Sequence, residues 1–278
     1  MPLDVAPTVT LNDGRSMPVI GLGTYPLDDR EVRDAVVIAA EAGYRMFDTA
    51  ERYGNEAGVG DGVRACGLPR EELFVTTKLD GVRQGNDRAL EGIDLSLARM
   101  KLDYVDLLLI HWPIPQRDEY VSTWKTFEQI AASGKARSIG VSNFKPAHLQ
   151  RLRAETDVVP AVDQIEFSPY TTRDLSHAYN AGHGIVTQGW SPLAPGSGLL
   201  SDETLTGIAA RHGKTTAQVV LRWFVQIGVV PLPKSGRRQR IAENIDIFDF
   251  ELTAAEVAEI SSLDTGEANA QDSDRLGH

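Results

Sequence analysis

Residues that can hold or move a proton stand at the ends of apolar runs. Asp48 follows "YRMF" (44–47), Lys78 follows "LFVTT" (73–77) and His111 follows "VDLLLI" (105–110), while Tyr53 belongs to the same stretch as Asp48, "FDTAERYGNE" (47–56). A polar loop explains Asp, Asn and Gly by turn geometry alone. A sharper reading treats Tyr53 as an acid. A free phenol has a pKa of about 10 and holds its proton near neutrality, but an ammonium in contact stabilises the phenolate. Lys78 would tune Tyr53, and Asp48 would keep Lys78 charged despite partial burial. His111 would donate to a substrate oxygen or help tune the phenol. A tyrosine acid aimed at a carbonyl oxygen points to reduction, and the hydride must then come from a cofactor.

The sequence offers no Rossmann site for that cofactor. Gly21-Leu22-Gly23 is the only G-x-G after an apolar run; Pro26 stands where a third Gly belongs, and no helix starts at once. The cofactor would lie across other strand ends. Trp190 offers a flat apolar face to a nicotinamide ring, Ser142, Asn143 and Gln164 can bond its carboxamide, and Lys234, Ser235 and Arg240 can clamp a phosphate. The last group lies in "PKSGRRQR" (233–240), a basic run that could also be a solvated helix face. Lys234 and Arg240 favour NADPH over NADH, because a 2′-phosphate matches them electrostatically.

Composition narrows the partners. A formal net charge of −11 argues against nucleic acid or an anionic membrane. No stretch approaches the roughly 20 apolar residues that span a bilayer. The start "MPLDVAPTVT" has neither a basic segment nor a long apolar core, so a cytoplasmic protein is expected. The single cysteine, Cys66, cannot form an internal disulfide.

The elements that must bring these residues together form a repeating unit of apolar run, polar loop and helical pattern. Eight runs read as strands: 19–23, 44–47, 73–77, 105–110, 137–141, 159–164, 184–189 and 228–233. With helices between them they fit an α/β fold, a closed (β/α)8 TIM barrel, whose functional groups collect at the C-terminal rim. One helix starts at Asp28, capped with Glu31, and stops at Gly43; another covers 86–101, with Leu90, Ile93, Leu97 and Met100 on one face. Asn12-Asp13-Gly14 between alternating apolar residues reads as an N-terminal β-hairpin outside the barrel. No linker divides the chain, so residues 1–278 read as one domain.

"DTAERYGNE" (48–56), "TTKL" (76–79), "LLIHWP" (108–113), "GVSNF" (140–144), "DQIEFSP" (163–169), "GWSPLAPG" (189–196) and "LPKSGRRQRIAEN" (232–244) together resemble the aldo-keto reductase family. Within it the chain is most similar to the bacterial branch with 2,5-diketo-gluconate reductases. The resemblance implies a (β/α)8 barrel with a C-terminal extra helix and NADPH bound without a Rossmann fold. It also implies a catalytic set at Asp48, Tyr53, Lys78 and His111, and a monomer acting on small carbonyl compounds. Cofactor contacts are implied at Gly23, Thr24, Ser191, Leu193, Gly236, Arg237, Glu243 and Asn244 as well. Tyr25, Trp112 and Phe144 are candidate walls of the substrate pocket. Two departures stand out: Asp80 replaces the aromatic that many relatives carry two residues after the lysine, and the tail "GEANAQDSDRLGH" has few bulky apolar residues. Asp80 should make anionic substrates less welcome. A sensor or partner-binding protein on the same barrel is the alternative, with the intact set arguing against it. A metal-dependent isomerase or hydrolase would need clustered ligands, and only His111 stands at a strand end.

Overall fold

A computed structural model describes residues 5–267 and 270–278. Eight parallel strands form the barrel: β3 (Leu22–Gly23), β4 (Met46–Asp48), β5 (Phe74–Leu79), β6 (Val105–Ile110), β7 (Ala136–Ser142), β8 (Val162–Glu166), β9 (Val186–Trp190) and β10 (Val230–Leu232). They are preceded by a hairpin of β1 (Thr8–Thr10) and β2 (Ser16–Pro18), turning where Asn12-Asp13-Gly14 predicts. The expected barrel is therefore the observed one.

The first run is shorter than the sequence suggests, for a reason carried by a proline. The N–H groups of Gly21 and Gly23 donate to the carbonyls of Pro231 (3.2 Å) and Pro233 (3.0 Å), and Gly23 bridges Lys234 in parallel. Pro233 has no N–H to return to the Gly21 carbonyl, so no parallel bridge forms at Gly21 and the seam closes only at the Gly23–Lys234 bridge. Gly21 and Gly23 also admit their neighbours closely, since a Cβ at Gly23 would stand 2.9 Å from the Leu232 carbonyl.

Helices cover the outside: α1 (Asp29–Glu41), α2 (Glu56–Ala65), α3 (Asn86–Met100), α4 (Tyr120–Ala132), α5 (Pro146–Glu155), α6 (Asp174–Gly182), α7 (Glu203–His212), α8 (Thr216–Gln226), α9 (Arg238–Ile245) and α10 (Ala254–Ser261). Asp28 and Glu31 form the predicted capping box of α1. In α3, Ile93, Leu97 and Met100 are buried as expected, but Leu90 is 36% exposed and Ala89 takes the core position. The helix presents the face through Ala89, Gly92 and Ile93 to the barrel, where a Cβ at Gly92 would collide with Leu79, so Leu90 is turned outward. No helix among the described residues is long and apolar enough to cross a membrane.

Inside the barrel, strand alternation sorts polarity by height. Met46, Phe74, Leu107, Leu109, Val162, Val230 and Leu232 form an apolar lower layer with Leu11 and Met17 of the hairpin region. Two residues further along their strands come Asp48, Thr76, His111 and Gln164. The hairpin region thus packs against the apolar layer, and the polar layer lies toward the other end.

Candidate active site

Asp48 is the last residue of β4 and Lys78 the fifth of β5; the two strands pair in parallel, with Asp48 beside Thr76. Lys78 is 1% exposed, and its Nζ donates to Asp48 Oδ1 (2.5 Å), the Thr49 carbonyl (2.9 Å) and the Tyr53 hydroxyl (3.3 Å). All three ammonium hydrogens therefore have acceptors. His111 stands just beyond β6, its ring 5.8 Å from that of Tyr53. The four predicted residues meet at one mouth of the barrel.

The turn between Asp48 and α2 is held by its own polar residues. Thr24 donates to the Asp48 carbonyl (2.9 Å), Thr49 donates to Asn55 Oδ1 (2.6 Å), and Asn55 Nδ2 donates to the carbonyls of Thr24 and Leu27. Its other two acids are structural. Glu51 accepts the Asp80 N–H and pairs with Arg83 and Arg99, while buried Glu56 pairs with Arg99 and accepts from Thr77.

The electrostatics correct one expectation. Burial pushes the pKa of Tyr53 above its ordinary value; Lys78 pulls it down but does not overcome burial, and Asp48 adds to the rise. The phenol is therefore protonated through neutrality, a held proton rather than a loosened one. Burial opposes the charge on Lys78, yet Asp48 and Tyr53 together raise its pKa above the usual lysine range. Burial, then Lys78, His278 and Arg52, hold His111 well below the usual imidazole pKa. His111 is thus neutral, with one N–H to donate, and its Nδ1 is buried with no hydrogen-bond partner.

A second group continues around the rim. Gln164 of β8 donates to Asp48 Oδ2 (2.8 Å) and to Gln188 Oε1 (3.0 Å), so it steadies the carboxylate that holds Lys78. Ser142 donates to the Gln164 carbonyl (2.8 Å), and Asn143 donates to the His111 carbonyl (3.0 Å) and to Ser142 Oγ (3.1 Å). Trp190 donates from its indole to Asn143 Oδ1 (3.0 Å), which fixes the ring. Asn143 and Ser191 have positive φ (64° and 53°), a conformation uncommon outside glycine. Strained backbone thus follows β7 and β9 where the sequence places a nicotinamide.

The basic run lies beyond β10. Arg238 pairs with Glu41 (2.8 Å), whereas Lys234, Arg237 and Arg240 are exposed and have no ion-pair partner among the described residues. Ser235 is buried and accepts the Arg237 N–H (3.1 Å) just ahead of α9, where backbone donors favour an anion. Gly23 and Gly236 flank Lys234 and Ser235. Glu243 and buried Asn244 lie later on α9, and Leu193 is part-buried against the core. Two unpaired cations ahead of α9 and a third in its first turn, in an acidic protein, fit a phosphate-bearing cofactor.

The pocket walls divide. Tyr25 is 62% exposed with its ring 5.1 Å from Tyr53, and Trp112 is buried beside His111 with Nε1 unpartnered. Phe144 is corrected: it has no exposed surface and packs edge-on against Tyr120 and His148 in the outer core. It follows Asn143, whose left-handed backbone turns the chain away from the mouth. Asp80 accepts from Arg52 (3.4 Å) and caps the turn after β5 through the Val82 N–H (3.1 Å). Sequence reasoning missed two contributors, the Gln164–Asp48 bond and His278, whose ring lies 5.4 Å from His111. Neither is signalled by local pattern.

The aldo/keto reductase family profile matches residues 19–265. The chain is 45% identical to methylglyoxal reductase DkgA of Escherichia coli O157:H7, over 98% of both chains. It is 46% identical to morphine 6-dehydrogenase of Pseudomonas putida, over 94% of this chain and 92% of that one. Among solved structures, the Bombyx mori aldo-keto reductase in complex with NADP superposes with a TM-score of 0.87 at 39% identity, covering 94% of each chain. With eight parallel strands, a lysine-centred mouth and likeness over nearly its whole length, the chain belongs to the aldo/keto reductase family.

Proposed function

We propose that the protein reduces small aldehydes and ketones, including dicarbonyls and keto-sugars, to alcohols with NADPH, Tyr53 supplying the proton. The observation that carries this reading is Lys78 Nζ placed between the Asp48 carboxylate and the Tyr53 hydroxyl, with neutral His111 beside them. When bound, NADPH supplies the hydride. Trp190 and the Ser142–Asn143–Gln164 group would receive its nicotinamide end, and Lys234, Arg237 and Arg240 a phosphate.

The chain's own residues then handle the oxygen. Tyr53 donates its O–H to the carbonyl oxygen, and His111 offers a second donor, so negative charge developing there is stabilised before it becomes a free alkoxide. Lys78 stabilises the phenolate left behind, and Asp48, braced by Gln164, keeps the ammonium in place. The raised pKa of Tyr53 suits this direction, since the acid stays protonated at neutral pH.

Supporting the reading are the family membership and the NADP-bound relative. Following NADPH consumption with methylglyoxal, simple aldehydes and keto-sugars tests it. Oxidation of NADPH that depends on the carbonyl compound supports it; tight NADPH binding without turnover on any of them refutes it and favours a cofactor sensor.

A further inference from the structure

The polar tail does not trail away from the barrel. Gln271 N–H donates to Glu166 (2.8 Å), Lys145 pairs with Asp272 and Asp274 (2.5 Å each), His148 meets Asp274 (3.0 Å), and Gln116 donates to the Asp274 carbonyl. These contacts tie the segment to the ends of β8, α5 and the loop after β6. From there residues 276–278 cross to the other side of the mouth, where the Gly81 N–H donates to the His278 carbonyl (3.0 Å).

Two glycines make that seat. A methyl on Gly81 would collide with the His278 carbonyl and with Ile114, and one on Gly277 would press on Ile114 (3.0 Å) and Trp112 (3.3 Å). Seated this way, the His278 imidazole lies edge-on to His111 (5.4 Å between ring centres) and tilted on Trp112 (5.8 Å). It makes no hydrogen bond to any described residue. Asp80 and Arg52, the charged groups nearest it on the rim, are bonded to each other. Beyond His111 and the Trp112 indole it rests on, the imidazole is thus a further group at the mouth with hydrogen-bonding capacity to spare, and one that can both donate and accept.

We infer that His278 is a specificity-determining residue whose imidazole hydrogen-bonds an oxygen on the carbon next to the reacting carbonyl, selecting dicarbonyl and hydroxycarbonyl substrates over plain aldehydes. This rests on the reductase reading above. Tyr53 and His111 hold the reacting oxygen, and His278, one ring further out, meets the adjacent one. Burial and Arg52 keep its pKa below the ordinary imidazole value, with Asp80 opposing, so at neutral pH it is an uncharged ring that both donates and accepts.

Methylglyoxal and propanal form a matched pair, three carbons each, differing by the second oxygen. In His278→Ala, kcat/KM for methylglyoxal should fall about tenfold, mostly through KM, with propanal within about twofold. His278→Gln should recover most of the loss, and Gly81→Ala, which unseats the tail, should reproduce it. Equal losses for both aldehydes, or none for either, would overturn the assignment. A binding measurement separates this from the reductase reading. Hydroxyacetone titrated into the NADP-saturated protein should shift the His278 ring resonances in NMR spectra, and 1-propanol should not. That readout needs no turnover, and its absence counts against His278 even in an active reductase.

Discussion

Asp48 at the C-terminal mouth and Asp106 near the N-terminal end of β6 are both buried carboxylates that meet cations, but their other neighbours differ. Asp106 accepts the Val75 N–H (2.9 Å) and meets Arg70 (2.7 Å) and Arg137 (3.6 Å), whose guanidinium groups sandwich Tyr104 at 4.2 and 3.8 Å. Each cation there is planar and stacked on that ring, and among the described residues Arg70 Nε is the one buried polar atom of the two arginines without a partner. Asp48 instead holds one lysine whose third hydrogen reaches a phenol, and beside it lie two buried polar atoms without partners, His111 Nδ1 and Trp112 Nε1. A saturated carboxylate ties elements together; an incompletely satisfied mouth has capacity left for a substrate. The fold uses one kind of pair for both tasks, and the neighbours decide which.

Substitution at each end should separate the tasks. Tyr53→Phe removes the transferable proton, so carbonyl reduction should drop about 10²- to 10⁴-fold while NADPH affinity and thermal unfolding stay close to the parent. A variant that reduces methylglyoxal at the parent's rate would break the proton-donor assignment. Because the Tyr53 pKa lies above its ordinary value, reduction should hold level through neutrality and weaken only in strong alkali. Alcohol oxidation needs the phenolate and should rise about tenfold per pH unit between pH 7 and 9. Identical pH profiles in the two directions would contradict this.

Asp106→Ala reverses the pattern. It leaves the Val75 N–H and Arg70 without their acceptor, so stability should fall by about 2–3 kcal/mol, read by urea unfolding, with kcat per folded molecule unchanged. Loss of turnover without loss of stability would mean that the two ends are coupled.

The mouth side of this contrast is legible in the sequence, the Asp106 side is not, and the residues misplaced or missed share a cause. Lys78 and His111 can be found because each follows a short, mostly apolar run that reads as a barrel strand, whose C-terminal end lies at the rim. Leu90 and Phe144 are misplaced because periodicity and adjacency do not fix rotation: helix α3 turns Ala89 inward, and the left-handed Asn143 sends Phe144 to the outer core. The Gln164–Asp48 bond joins residues 116 positions apart, and His278 reaches the mouth through a tail with no periodic pattern. Only the closure of the barrel brings such partners together.

The cofactor end offers a finer comparison within the rim. Arg238 is committed to Glu41, whereas Arg240 has no carboxylate partner among the described residues. Arg240→Ala should weaken NADPH about tenfold and leave NADH nearly unchanged, as measured by quenching of protein fluorescence. Arg238→Ala should affect both little. Equal weakening of NADPH and NADH by Arg240→Ala would remove the 2′-phosphate role.

The smallest expected effect concerns Asp80, which the sequence singles out as hostile to anionic substrates. Arg52 stands against its buried carboxylate, so the charge is partly compensated, and because Arg52 itself is half-exposed, solvent screening keeps the pair's contribution to about 0–1 kcal/mol. Asp80→Asn keeps an oxygen to cap the Val82 N–H but releases Arg52. Stability should move by less than about 0.5 kcal/mol, while kcat/KM for an anionic carbonyl such as succinic semialdehyde should gain about two- to threefold over a neutral aldehyde of similar length. High salt should erase that gain, because a freed surface cation acts through a screened field. A preference that survives high salt would mean that the residue shapes the pocket by contact rather than by charge, and Asp80 would then belong with the fixed carboxylates of the opposite end.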